Sequence, residues 1–331
     1  MRREVSIKFC RGDYQSPAKQ RQFIYILRAV DNRPYKGVFL KLSIIKAIFL
    51  GLVQGITEFL PISSSGHLSV LQHFLGVGGE GSLLFTVLLH MGTLVAVVLV
   101  YWKTLLALLG EAVFTVKDIV TRQFKWREMR PTRRMLFMLI LSCVPLLLLL
   151  LPVENGLRLM SLLGGLAEDE DIFVEGVCFL FTGGLLLFGV WRAKQQAHPR
   201  KQIDEKSALA VGFAQFLAAG FPGISRSGST VSTGMICGVS KEYMVRYSFI
   251  LGVPAVLAAN VMELKDALAD DVKLELLPLL LGIVTAVVVG FFAIKALEWL
   301  VKTDKFKYFG YYCLGIGTVV IVAGIVEKLI K

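Results

Sequence analysis

"QGITEFLPISSSGHL", residues 54–68, sets Gln54, Glu58, three serines and His67 inside one of the most apolar parts of the chain. Ionisable groups in hydrocarbon-facing sequence are costly and mark sites. Gln54 and Glu58 are four apart and share one helix face. Pro61 ends that helix, Ser63, Ser64, Ser65, Gly66 and His67 follow in the turn, and a second helix is expected over 68–76. The segment therefore reads as a broken helical hairpin carrying carboxylate, hydroxyls and imidazole.

The surroundings fix the class. The chain has 331 residues, is 55% hydrophobic and has a mean hydropathy of +0.66, which excludes an ordinary soluble domain. Stretches near 83–101, 135–151, 172–191, 243–262, 276–298 and 309–330 are each long enough to cross a bilayer core of about 30 Å. The five cysteines have no regular spacing, which argues against a disulfide framework or a zinc site.

Loop charge gives an orientation. Residues 102–134 hold eight Lys/Arg, 192–207 five and 302–308 three, whereas 152–171 and 263–275 each hold five acids against one and two basic residues. The first three loops are expected in the cytoplasm and the last two outside. Counting crossings then leaves 208–242 to begin and end on the cytoplasmic side. Pro222, Gly223 and Gly228 of "FPGISRSGST" (221–230) are expected to break it into a re-entrant hairpin.

That hairpin repeats the first. A shift of 161 residues superposes Gly51 on Gly212, Gln54 on Gln215 and Pro61 on Pro222, and one further residue aligns "SSSG" (63–66) with "SRSG" (225–228). Three crossings separate the hairpins, so the halves are inverted and 44–80 opens outside. The expected fold is an all-α integral membrane protein with six transmembrane helices and two re-entrant hairpins in inverted-topology repeats. Residues 42–331 form the membrane domain, with repeats about 42–191 and 208–331. Residues 1–41 carry ten Lys/Arg against three acids. They read as a basic extension, disordered or on the lipid surface, and their charge favours the cytoplasm against the repeat. A nucleic-acid partner is not expected.

The second hairpin complements the first. Arg226 is a permanent cation flanked by Ser225, Ser227 and Thr230, a composition suited to gripping phosphate. Gln215 would line the site through the pseudosymmetry. His90 reads as a histidine bonded to a neighbouring helix. Where both hairpins meet, the expected chemistry is phosphoryl transfer on a lipid-borne substrate, with lipid flipping as the rival.

"QGITEFLPISSSGH" and "PGISRSGST" resemble the paired signature motifs of the bacterial undecaprenyl-diphosphate phosphatases, the bacitracin-resistance family, and the resemblance covers about residues 42–331. It implies hydrolysis of undecaprenyl diphosphate at the outer face of the bacterial inner membrane, in cell-wall synthesis. It implies a divalent cation, Mg2+ or Ca2+, near Glu58 and Gln54, and leaves room for a homodimer. Ser64 becomes the nucleophile and His67 an acid/base partner. Glu58 and Arg226 complete the catalytic set, and Gln54, Ser63, Ser65, Ser225, Ser227 and Thr230 bind the diphosphate. Gln54 is the uncharged option at its motif position and cannot act as a base. The runner-up function is a carrier that flips undecaprenyl phosphate.

Overall fold

The computed structural model describes residues 39–40, 42–77, 80–153, 159, 163, 172–221, 223–269 and 273–330. Expectations for residues 1–38, for most of 152–171 and for Pro222 lie outside the described residues. Residues 37–331 form one unit.

Among the described residues the architecture is helical, apart from two-residue strands β1 (Phe39–Leu40) and β2 (Lys273–Leu274), which pair in parallel. Six helices are long and apolar enough to cross a bilayer: Leu84–Val120, Pro131–Leu150, Phe173–Lys194, Lys241–Val261, Leu276–Val301 and Lys307–Ile330. This is a multi-pass membrane protein. In chain order the elements are α1 (Ile44–Thr57), α2 (Ser64–Leu75), α3 (Glu80–Val120), α4 (Pro131–Cys143), α5 (Phe173–Lys194), α6 (Glu205–Gly220), α7 (Arg226–Ile236), α8 (Lys241–Ala269), α9 (Leu276–Val301) and α10 (Lys307–Ile330). Pro145 tightens α4 into a 3₁₀ turn over Val144–Leu150.

Three details depart from the sequence reading. Helix α3 does not stop near 101: Tyr101 takes a non-helical φ/ψ of −106°/17°, and the helix resumes beyond it to Val120. The apolar residues Leu105, Leu106, Leu108 and Leu109 prolong it, so part of the basic loop 102–134 is helix. The second helix of the first hairpin begins at Ser64 rather than Leu68, because Ser63 caps it by accepting from Gly66 N. The serines thus occupy its first turn.

The two short pairs, α1/α2 and α6/α7, close at their open ends. Lys46 Nζ donates to Leu75 O at 2.8 Å, joining the start of α1 to the end of α2. Arg200 does the same for α6/α7: its N–H donates to Gly238 O and its carbonyl accepts from Ser240 N, both at 2.9 Å. Its guanidinium reaches Ser207 Oγ in the first turn of α6. Close approach of backbones seats the pairs. A Cβ on Gly51 of α1 would lie 3.1 Å from Gly282 C of α9, and one on Gly212 of α6 would lie 2.6 Å from Ser142 O of α4.

Asp204 caps α6, its Oδ1 accepting from Ser207 N at 3.1 Å, and it pairs with Arg200. Burial works to raise its carboxyl, but the Ser207 hydrogen bonds and the Arg200 guanidinium hold it down to about 2, below the ordinary 3.8. A folded value below the unfolded one gives stability that is complete above about pH 4 and disappears as pH falls through about 2. Asp204→Ala is expected to lower stability by about 1 kcal/mol at neutral pH. In thermal unfolding in detergent, the gap between variant and wild type should narrow between about pH 4 and about pH 2.

Candidate active site

The tips of the two short pairs meet. Gly223, at φ +106°, donates its N–H to Ser65 Oγ at 3.2 Å, and Ser227 Oγ donates to Leu60 O at 3.3 Å. The positive φ lets the second tip turn without strain. Ser63 and Ser225 are equivalent N-caps, each accepting from the glycine three residues on. That equivalence puts Ser64 and Arg226 at the same first helical position of α2 and α7. Both side chains converge on Glu58.

Glu58 is the centre. It is 8% exposed, and its oxygens divide the work. Oε1 accepts from Arg226 Nη2 at 2.7 Å. Oε2 accepts from Ser64 Oγ at 2.6 Å and from Gln54 Nε2 at 3.1 Å. A buried carboxylate is tolerated only when paired and hydrogen-bonded, and here both conditions are met. Arg226 is steadied by Ser248 O at 3.4 Å, and α8 passes so closely that Gly252 leaves the room the guanidinium occupies. A pocket runs from Glu58 and Arg226 between apolar walls, Leu94 and Val97 of α3 facing Phe249, Val253 and Val256 of α8.

The other expected site residues are distributed as follows. Thr230 is buried and bonds Arg226 O and Ser248 Oγ, so it braces α7 against α8. Ser225 Oγ lies within 3.4 Å of Ser227 Oγ inside the second tip. Gln215 is 1% exposed on α6, and neither atom of its amide has a partner in the structure.

His67 belongs to a different neighbourhood. Its Nδ1 is 2.6 Å from Ser63 O and its Nε2 2.8 Å from Tyr312 OH, with the two rings stacked. A carbonyl only accepts, so Nδ1 carries hydrogen and Nε2 receives the phenol. Both nitrogens are thereby occupied. The imidazole beside the carboxylate is instead His90, whose Nε2 lies 3.6 Å from Glu58 Oε2. Its Nδ1 bonds Thr86 O of its own helix, not a neighbouring one. Sequence reasoning passed over Tyr312, Ser248 and Gly252, none of which sits in a polar motif. His90 offered a signal, a histidine inside an apolar run, but which neighbour it faces is a tertiary fact.

The donor set does not fit a cation held by Glu58 and Gln54 alone. Glu58 is the one carboxylate of this cluster, and both its oxygens already accept, one of them from a guanidinium. Among the described residues no group of three or more His, Cys, Asp and Glu is placed to hold a metal ion. The amide oxygen Gln54 Oε1, buried and without a partner, is the one spare acceptor on these two residues.

A family model described as Bacitracin resistance protein BacA matches residues 47–319. The undecaprenyl-diphosphatase of Methanosphaera stadtmanae is 37% identical over 295 residues, 86% of this chain and 99% of that protein. Those of Alkaliphilus metalliredigens and Halothermothrix orenii are each 36% identical, over 83% and 86% of this chain and 97% and 100% of theirs.

Proposed function

Because the chain belongs to the bacitracin resistance protein family, we infer that it is a phosphatase that hydrolyses undecaprenyl diphosphate to undecaprenyl phosphate and inorganic phosphate. It thereby recycles the cell-wall lipid carrier and confers bacitracin resistance. The observation that carries this reading is the convergence of Ser64 and Arg226, from two separate helical tips, on one buried carboxylate.

In the mechanism we propose, the diphosphate enters the pocket and draws part of the Arg226 guanidinium onto its oxygens. The fork has five N–H donors and uses one on Glu58 and one on Ser248 O, so three remain for phosphate. Ser64 Oγ, its hydrogen already directed at Glu58 Oε2, attacks the distal phosphorus in line, and undecaprenyl phosphate leaves from the opposite side. Arg226 and Ser227 take up charge on the non-bridging oxygens. The apolar walls beyond hold the first prenyl units. Water then hydrolyses the phosphoserine. A divalent cation, Mg2+ or Ca2+, would find Gln54 Oε1 as its one spare acceptor on Gln54 and Glu58, and would supply neutralisation of phosphate charge.

We also propose that α1/α2 and α6/α7 are re-entrant hairpins of an inverted repeat. At 1.5 Å per residue, helices of 11 to 16 residues reach about 17–24 Å, short of a bilayer core. The start of the first hairpin follows a strand paired with β2, beside the acidic loop assigned outside. The ends of the second meet at Arg200, in a basic loop assigned to the cytoplasm. The packing is exchanged between halves, α1 on α9 and α6 on α4. These observations support opposite openings and a diphosphate arriving from outside the bacterial inner membrane.

Phosphate release from C55 diphosphate by purified protein in detergent tests the function, since flipping has no meaning there. Ser64→Ala should lose roughly 10³-fold or more in kcat, and quenched wild-type turnovers should hold phosphate on Ser64. Wild-type rates in Ser64→Ala would end the nucleophile assignment. An inactive wild type would end the phosphatase reading.

A further inference from the structure

Resting on the phosphatase reading, we infer that His90 works in the reaction through Glu58, holding the proton that Gln54 at the first motif position cannot hold. Three groups address the same oxygen, Glu58 Oε2: Ser64 Oγ at 2.6 Å, Gln54 Nε2 at 3.1 Å and His90 Nε2 at 3.6 Å. The first two are donors. The third is decided by the other ring nitrogen. His90 Nδ1 is 2.8 Å from the backbone carbonyl of Thr86, which has no hydrogen to give, so the Nδ1–H is its donor. Nε2 is then the nitrogen free to gain or lose a proton, and it faces the carboxylate.

A carboxylate oxygen and a bare imidazole nitrogen do not attract each other. The pair is favourable when a proton lies between them, on either partner. Glu58 Oε2 and His90 Nε2 thus form a pair between which one proton can lie, with Arg226 held on the other carboxylate oxygen. Glu58 is the acid paired with His90 among the described residues, and Arg226 is the cation on the far side of that carboxylate. The next turn of α3 supports the assignment, because Thr93, which donates to His90 O, lines the same pocket as Glu58 and Arg226.

The step balances. As the Ser64 Oγ–phosphorus bond forms, the bond from phosphorus to the bridging oxygen breaks, and its electron pair leaves on undecaprenyl phosphate. The Ser64 proton passes to Glu58 Oε2 and is retained by the Glu58–His90 pair. In the second half water attacks the phosphoserine, the phosphorus–Oγ bond breaks, and the pair takes the water proton as Ser64 Oγ recovers its own. The pair then passes that proton to the departing inorganic phosphate, which returns it to its resting state. His67 does not serve here, since its Nε2 receives the Tyr312 hydroxyl.

The test is a rescue. His90→Ala should lower kcat roughly 10²-fold with KM within about twofold, since His90 acts on the proton and not on binding. Adding Gln54→Glu should recover at least about tenfold of that loss. A second carboxylate on Oε2 would share one proton with Glu58, the other way of storing it. A packing role for His90 predicts no such rescue, because an added buried charge only deepens a packing defect. If His90→Ala fails to fold, His90→Gln, which keeps the bulk and an amide donor but cannot hold a proton, carries the same expectation with the same rescue. An unchanged kcat in the single variant, or a loss untouched by Gln54→Glu, overturns the inference. Wild-type protein that releases no phosphate would instead overturn the phosphatase reading on which it rests.

Discussion

Glu58→Ala should reduce kcat/KM for C55 diphosphate by roughly 10³-fold or more, a loss of the same order as that expected of Ser64→Ala. The carboxylate carries three roles at once. It receives the Ser64 hydrogen, it anchors the guanidinium, and it holds Gln54. Without it Arg226, only 20% exposed, becomes a half-buried unpaired cation. Breaking one side of such a pair costs about 3 kcal/mol of stability. Glu58→Gln separates the two effects. It keeps the volume and one acceptor oxygen, but sets an amide against either Arg226 or Ser64. Its melting temperature should stay nearer wild type while kcat still falls by about 10². Phosphate release and thermal unfolding on the same preparations check both, and a Glu58→Gln enzyme within tenfold of wild type would remove Glu58 from the chemistry.

The second large effect comes from a pocket-lining residue that has no side chain of its own. Gly252→Val should lower kcat/KM on the order of 10²-fold. A Cβ there would collide with Arg226 Nη1 and lie 2.8 Å from Cζ and 3.0 Å from Nη2. The guanidinium is the end of a flexible side chain and would shift to relieve the clash, which carries it off the 2.7 Å contact with Glu58. Gly252→Ala is the informative companion. In an unobstructed helix, alanine is favoured over glycine by about 1 kcal/mol, so a loss at this position has the opposite sign to propensity. Gly315→Ala on α10, where an added Cβ meets nothing within 4 Å, is the control and should leave turnover unchanged. Equal behaviour of the two alanine variants would refute the steric reading.

How far the sequence went depends on the range of the interactions concerned. The hairpin tips were legible because their signals are local: Pro61 after an apolar helix, Ser63 and Ser225 three residues before glycines. The six apolar stretches were legible because a bilayer imposes length and composition directly. The run of α3 past Tyr101 was not, since basic residues beyond the kink resemble a loop by charge while Leu105 and Leu108 keep the helix packed on the core. The two histidines show the limit most plainly. His67 adjoins the serines in sequence, yet the first turn of α2 points its ring at Tyr312, 245 residues away. His90 lies 32 residues from Glu58, in an apolar run without Asp, Glu, Lys or Arg, and α3 brings it to the carboxylate. Distance along the chain does not order these two by their approach to Glu58, because helix phase decides where a ring ends up.

The meeting of Glu58 with Arg226 spans 168 positions, and this bears on how the protein is made. During synthesis the amino-terminal half enters the membrane with its acid and its serine but no cation to quiet them. The guanidinium arrives only when translation has passed residue 226, and the wall that confines it later still, with Gly252. Cutting the gene in the loop before Asp204 would yield one fragment holding Glu58 and Ser64 and another holding Arg226. Neither should release phosphate until the two find each other in the lipid.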